Sequence, residues 1–326
     1  MTFPSSGENK DMPIKEDNER LSTVPAFSVS FLMPRYWLIW IGLFFLFCLS
    51  WLPAKVLDVF ADKLGNFSAR KSEKRFHIAK TNLSLCFPDK SDTEIEDMVY
   101  GHFRSQARSY IQYALLWWHP ALMLRKRIDV AGLEQIEAVK AKGKNVIISL
   151  CHSASLDVAF AALAMRMRLS SSYNPIRNPL LNWLIANRRV RFGAIIFTRE
   201  DGLRPLIKSI RGGRTLIYLA DEDLGVTKCV FAPFFGVQKA TVPILGRLAR
   251  ITQSKVFTCI SYYDCERARY VVRILPYVQA FKGDDDLADA QAMNAAIEQA
   301  VNQCPTQYLW TLKYFRTRPD GESSVY

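Results

Sequence analysis

From residue 145 onward the chain switches repeatedly between short apolar runs and helical stretches, and no other feature restricts its fold as much. Asn145–Cys151, Ala194–Thr198, Thr215–Ala220, Lys255–Ser261 and Tyr270–Leu275 have the length and β-branched content of strands. Between them, Leu156–Met167, Pro179–Asn187, Gly202–Ile210 and Thr241–Thr252 read as helices. A last helix is expected over about Leu287–Cys304, after the acidic loop Asp284-Asp285-Asp286. Strands separated by helices build an α/β fold, here a mixed sheet covered by helices on both faces. Ligands of such sheets gather at the carboxyl ends of the strands. His152 and Asp221 each follow directly on a predicted strand, which lets both face one crevice. Residues 66–130 read as helical, with Ser91-Asp92-Thr93-Glu94 as a capping box. His77, His102 and His119 fall in this region and are assigned to helix surfaces or satisfied core positions.

Residues 1–30 are polar and charged, the composition of a disordered tail. The run Tyr36–Pro53 carries no charge and has Tyr36, Trp37 and Trp51 near its ends, where aromatic rings prefer a membrane interface. A spanning helix needs roughly 17–25 residues, so residues 31–55 are expected to form a membrane anchor helix. Residues 56–326 then form the main domain. A secretory signal fits less well, because the preceding segment is long and no small-x-small site follows. Lys55, Lys63, Arg70, Lys71, Lys74 and Arg75 follow the run, which puts the main domain in the cytoplasm by the positive-inside rule. The shortness of the run leaves shallow, monotopic insertion open.

Forty-three Lys and Arg face 31 Asp and Glu, a net charge of +12, which points to acidic partners. The seven cysteines are scattered and include no C-x-x-C pair, the usage of reduced thiols on the cytosolic side. Cys151 reads as a buried, strand-end apolar residue and not as a nucleophile.

The chemistry concentrates in Ser149-Leu150-Cys151-His152-Ser153-Ala154-Ser155-Leu156-Asp157, directly after an apolar strand. Five helical positions span about 140° around the axis, so His152 and Asp157 can meet only if His152 sits on the turn before the helix. Asp157 would then hold one ring nitrogen and leave the other basic, the logic of a Ser-His-Asp triad without its serine. With no enzyme nucleophile signature, the substrate is left to supply the attacking hydroxyl. The plain alternative is a histidine capping the helix, with the aspartate on a solvated face. Between Arg166 and Arg214 eleven basic residues, among them Arg188, Arg189 and Arg191, face only Glu200 and Asp201. Arginine suits bidentate contact with phosphate and carboxylate. The run Ala220-Asp221-Glu222-Asp223-Leu224-Gly225 can bind Mg²⁺, hold arginines, orient the base or form a polar turn. No G-x-S-x-G, G-x-G-x-x-G or P-loop is present, which argues against a serine hydrolase, a dinucleotide enzyme and an NTPase.

Taken together and in order, these segments resemble the bacterial lipid A late acyltransferases, the lauroyl and myristoyl transferases of lipopolysaccharide assembly. The likeness rests on Cys151-His152-Ser153-Ala154-Ser155-Leu156-Asp157, Asn178-Pro179-Leu180-Leu181-Asn182-Trp183, Arg188-Arg189-Val190-Arg191-Phe192-Gly193 and Arg199-Glu200-Asp201-Gly202. It extends through Ala220–Gly225, Val230–Gly236, Ala240–Pro243, Pro305–Trp310 and Phe315–Pro319, and so covers nearly everything after the polar tail. The resemblance implies a glycerolipid-acyltransferase-like fold at the bacterial inner membrane. It implies transfer of a fatty acyl chain from acyl carrier protein to a hydroxyl on a 3-hydroxyacyl chain of a lipid A precursor. It further implies His152 as general base, Asp157 as its orienting carboxylate, and functional roles for Arg189 and Asp221. Arg188 and Arg191 are close enough to Arg189 to share in substrate binding. No metal or other cofactor is implied, the donor being carried on acyl carrier protein.

Three other readings compete. A lysophospholipid or glycerophosphate acyltransferase uses a histidine-aspartate pair at the same spacing. A membrane-tethered scaffold would need no His152. A nucleic-acid binder fits the charge, but no zinc-finger, RNP or helix-turn-helix pattern accompanies it.

Overall fold

The computed structural model describes residues 24–326, apart from positions 226, 228, 280 and 282. Most of the expected polar tail therefore lies outside the described residues. The chain continues as α1 (Trp37–Leu49), α2 (Ala54–Lys71), α3 (Glu73–Cys86), α4 (Asp92–Trp118) and α5 (Ala121–Arg127). Then come β1 (Ile128–Ala131), α6 (Leu133–Ala141), β2 (Asn145–Leu150), α7 (Leu156–Ala164), β3 (Leu169–Tyr173), α8 (Pro179–Arg189) and β4 (Ile195–Thr198). The remainder is α9 (Arg204–Arg211), β5 (Thr215–Tyr218), β6 (Val230–Phe234), β7 (Val237–Thr241), α10 (Ile244–Thr252), β8 (Ser254–Asp264), β9 (Arg269–Ile274) and α11 (Asp286–Val301).

Seven strands form one sheet in the order β1-β9-β8-β2-β5-β3-β4, and β6 and β7 form a separate hairpin. All neighbours in the large sheet run parallel except β8 and β9, so the sheet is mixed. Strand β2 shows why both faces are covered. Val146, Ile148 and Leu150 belong to one apolar cluster, while Ile147 and Cys151 belong to another on the opposite face. The two-residue period of a strand sends alternate side chains to opposite faces, and here both sets are apolar.

The predicted strands agree with observed ones to within a few residues, but β1, β3 and the β6–β7 hairpin were not anticipated. Strand β3 reads Leu-Ser-Ser-Ser-Tyr and lacks an apolar run, yet it is largely buried between β4 and β5. Helix α4 begins with the expected capping box, Glu94 N–H donating to Ser91 Oγ and Ser91 N–H to the Glu94 carboxylate.

The expected spanning anchor takes a different form. Helix α1 has 13 residues, and no helix among the described residues is long and apolar enough to cross a membrane. At 1.5 Å per residue α1 is about 20 Å long, against about 30 Å of hydrocarbon. Pro34 and Pro53 bracket it, and the chain turns at Ser50 into α2. Helix α2 packs Leu57, Ala61, Gly65 and Ala69 inward, mostly against α4. Gly65 permits this contact, since a Cβ there would lie 2.5 Å from the Arg104 Cα.

Candidate active site

The register of the sheet assembles the site. Ser149 of β2 pairs with Tyr218 of β5. Three residues beyond each lie His152 and Asp221, brought side by side where the two strands end. Asp221 is 1% exposed and accepts three hydrogen bonds. The His152 ring Nδ1 lies 2.5 Å from its Oδ1, the His152 backbone N–H donates to Oδ2 at 2.8 Å, and the Tyr308 hydroxyl donates to Oδ2 at 2.9 Å. Tyr308 arrives from the C-terminal segment, which pairs with the turn after β2. Ala154 N–H donates to the Gln307 carbonyl and Leu309 N–H to the His152 carbonyl, both at 2.8 Å. An ionised Asp221 requires Nδ1 to carry a proton, which leaves Nε2 as the basic nitrogen. His152 lines a cavity of about 160 Å³ together with Asp157, Tyr173, Arg189, Arg199 and Glu222, among others.

The electrostatics follow from these partners. Burial by itself lowers the pKa of His152. The Asp221 charge, its hydrogen bond and the Glu222 charge more than offset this, so the imidazole titrates above its ordinary value. Burial raises the pKa of Asp221, but His152 and the hydroxyl of Tyr308 overcome it and hold the carboxyl below its usual range.

Asp157 lies on the first turn of α7, at the wall of the same cavity, but it is not the carboxylate that holds His152. Arg189 Nε and Nη2 donate to its two oxygens at 2.8 and 3.2 Å, and the Tyr113 hydroxyl donates to Oδ2 at 2.7 Å. The expected pairing of His152 with Asp157 is corrected on this point. His152 does sit on the turn before the helix, as that pairing required, but its Nδ1 is already committed to Asp221. Meanwhile α4 and α8 bring two donors onto Asp157. Burial would raise the Asp157 pKa, yet the Arg189 ion pair and the two kinds of hydrogen bond keep it below the ordinary value.

The other expected site residues separate. Arg189, at the end of α8, is inside the site. Arg191 donates to the carbonyls of Leu116 and His119 at 2.9 and 2.8 Å, so its guanidinium caps the C-terminal end of α4. Arg188 lines a neighbouring cavity with Trp117, Phe160, Ile185 and Phe192. Much of the basic stretch serves the backbone, since Arg166 and Arg214 also donate to carbonyls. His102 is fully buried, and burial pushes its imidazole down to about 4. His119 stacks on Trp51 at 4.8 Å. Cys151 is 1% exposed, and burial raises its thiol well above the usual range, as suits an apolar residue.

Three participants escaped the sequence reading. Tyr113 and Tyr308 sit far from His152 in the chain and carry no local signal. Lys239 on β7 is 1% exposed, its Nζ has no hydrogen-bond partner among the described residues, and the charges of Asp221, Asp223 and Glu222 act on it. Val237–Thr241 reads Val-Gln-Lys-Ala-Thr, and nothing in that local pattern marks Lys239 as buried. The acidic run itself proves to be divided among tasks. Asp221 holds the His152 ring, and Glu222 meets Arg199 at 3.2 Å. Asp223 accepts from Thr317 N–H at 2.6 Å and from Gly225 N–H at 2.9 Å, tying the turn to the C-terminal segment. Among the described residues no cluster of His, Cys, Asp and Glu is arranged to hold a metal ion.

Comparison with known proteins gives one answer. The family model for bacterial lipid A biosynthesis acyltransferases matches residues 24–317. A lipid A biosynthesis acyltransferase of Haemophilus influenzae is 37% identical over 91% of this chain and 93% of its own length. The lipid A biosynthesis myristoyltransferase of Escherichia coli is 31% identical over 97% of each chain. The lauroyltransferase of the same organism is 30% identical over 94% of this chain and 100% of its own. The chain belongs to the bacterial lipid A biosynthesis acyltransferase family and is an acyltransferase.

Proposed function

We propose that the chain transfers a fatty acyl group from acyl carrier protein to a hydroxyl on a 3-hydroxyacyl chain of a lipid A precursor. His152 Nε2 takes the hydroxyl proton as the oxygen attacks the thioester carbonyl. The tetrahedral intermediate then collapses, the C–S bond breaks, and the departing thiolate takes the proton back from His152. No covalent acyl-enzyme forms, and no metal or other cofactor takes part. The observation that carries the reading is the Nδ1–Asp221 hydrogen bond, which fixes the tautomer and leaves Nε2 basic. Asp221 therefore takes the orienting role first expected of Asp157. Asp157 acts with Arg189 and Tyr113 as a rigid wall of the site. The cavity is smaller than the roughly 300–1,000 Å³ typical of ligand sites, so it suits the reacting atoms.

The same reading places the enzyme on the cytoplasmic face of the bacterial inner membrane. Trp37, Leu38, Ile41, Phe44 and Phe45 of α1 are exposed, and so are Val56, Val59, Phe60, Leu64 and Phe67 of α2. Lys55, Lys63, Arg70 and Lys71 flank the α2 stripe, also exposed. Apolar rings beside lysines suit an anionic bilayer surface. Helices α1 and α2 would then lie in that surface, next to the acceptor lipid. Nucleic acid has no part in this reading.

The test uses the purified full chain in mixed micelles, with one labelled acyl-carrier-protein donor and two acceptors, a lipid A precursor and a lysophospholipid. Label should enter the lipid A precursor and be lost in His152→Ala. Label entering only the lysophospholipid refutes the assignment, and so does full turnover by the alanine variant.

A further inference from the structure

Glu222 meets the one atom on which the proposed reaction depends. Its Oε1 lies 3.4 Å from His152 Nε2, and its Oε2 lies 3.2 Å from Arg199 Nη2. The imidazole is thus held between two carboxylates, Asp221 on one nitrogen and Glu222 on the other. A base must have Nε2 within hydrogen-bond reach of the hydroxyl that it deprotonates. Glu222 stands in that direction. The glutamate is about a third exposed, whereas Asp221 is sealed. Of the two carboxylates, only Glu222 has room to move.

Arg199 gives it somewhere to go. It lies on the 3-10 turn Arg199–Asp201 that follows β4. The Thr198 N–H and hydroxyl both donate to the Asp201 carboxylate, at 2.7 and 2.8 Å, and so stiffen that turn. A Glu222 side chain that leaves His152 keeps an opposite charge beside it.

We propose that Glu222 is a positioning residue that covers the base nitrogen in the free enzyme and is displaced toward Arg199 when the acceptor hydroxyl binds. The inference rests on His152 being the base. It adds that the basicity of His152 differs between the free enzyme and the substrate complex. With Glu222 against it, the imidazole holds its proton more firmly, and displacement releases the base at the moment of use.

The other charges around His152 are accounted for. Asp221 strengthens proton binding and Arg199 weakens it. Asp157 is neutralised by Arg189 at 2.8 Å. Tyr308 and Lys239 act on Asp221 from behind. Tyr218 at the end of β5 has its phenol pKa raised by burial and stays neutral.

The test compares two pH profiles. The dependence of kcat/KM reports groups in the free enzyme, and that of kcat reports groups in the complex. Glu222→Gln should move the acidic limb of kcat/KM to lower pH, raising kcat/KM severalfold at the acidic end, while the limb of kcat keeps its position. Arg199→Gln removes the opposing positive charge and should move the kcat/KM limb the other way. Equal movement of both limbs in Glu222→Gln means that the contact persists in the complex, and the proposal fails. An unmoved kcat/KM limb also overturns it. Either failure leaves the base assignment standing so long as His152→Ala is inactive, which separates the two claims.

Discussion

Replacing Asp221 by Asn separates the orienting role from mere packing, because the two side chains have nearly the same shape. Asp221 accepts from His152 N–H and Tyr308 on Oδ2 and from His152 Nδ1 on Oδ1. An asparagine can place its carbonyl where two donors converge, at the Oδ2 position. Its NH₂ group then faces Nδ1, which must become an acceptor. The ring proton moves to Nε2, and the nitrogen that should accept the hydroxyl proton already carries one. A wrong tautomer of this kind costs about 10³–10⁴ in rate, or about 4–5.5 kcal/mol at 1.36 kcal/mol per decade. The assay is acyl transfer from labelled acyl carrier protein at limiting substrate, so that kcat/KM, and with it the free enzyme, is followed across pH. The native acidic limb should lie above the ordinary histidine value of about 6.5, because Asp221 and Glu222 outweigh burial. Residual activity of Asp221→Asn should show that limb at lower pH, since the largest opposing charge is gone. Asp157→Asn should leave the limb near its native position. If Asp221→Asn keeps more than about a tenth of the native rate, the argument fails, as the barrier has then risen by less than about 1.4 kcal/mol. A limb moved by Asp157→Asn and unmoved by Asp221→Asn would return the orienting role to Asp157.

The remaining predictions concern stability and the membrane. Arg189→Met strips both guanidinium donors from Asp157, which is 6% exposed, and should destabilise the fold by about 3–5 kcal/mol at neutral pH. The native Asp157 pKa is lowered, so its contribution is present above the unfolded value and lost as pH falls. The deficit of the variant should therefore shrink in acid, and a chemical-denaturation gap independent of pH would count against the ion pair. Gly65→Ala forces a Cβ toward the Arg104 backbone and should cost about 1–3 kcal/mol, outweighing the gain of about 1 kcal/mol in helix propensity. An unchanged melting temperature would show that α2 is not pressed against α4 as described. Phe60→Ser with Phe67→Ser removes two rings that are 54% and 60% exposed. Flotation with anionic vesicles should weaken at least tenfold at unchanged helix content, since each buried ring contributes about 1.5–3 kcal/mol; equal flotation would exclude α2 from the membrane contact.

What could be read from the sequence was whatever is local. The strands β2, β5, β8 and β9 announced themselves through apolar runs, and the capping box of α4 through four adjacent residues. Strand β3 stayed hidden because its three serines gain their place from β4 and β5. The length of Tyr36–Pro53 suggested a span, but Pro34 and Pro53 set the helix limits more firmly than hydropathy did. In the site, His152 and Asp221 were both foreseen at strand ends facing one crevice, and the register of β2 against β5 explains why they meet. Tyr113 and Tyr308 were not legible, since only the packing of α4 and of the C-terminal segment brings them in.

That Asp221 and not Asp157 holds His152 has a simple physical basis. Both carboxylates are buried and ionised, so each must be matched by donors or positive charge. Asp157 meets a guanidinium that is permanently charged, and its negative charge is spent there. Asp221 meets an imidazole, the one partner whose charge can change during a reaction near neutral pH. A carboxylate paired with arginine can fix geometry but has little capacity left to favour a developing imidazolium. One paired with histidine and two neutral donors keeps its full charge for that moment. Sequence spacing favoured Asp157 because it is five residues away, but proximity in the chain does not decide which carboxylate is electrostatically available. The donors decide it, and they arrive from α4, α8 and the segment around Tyr308.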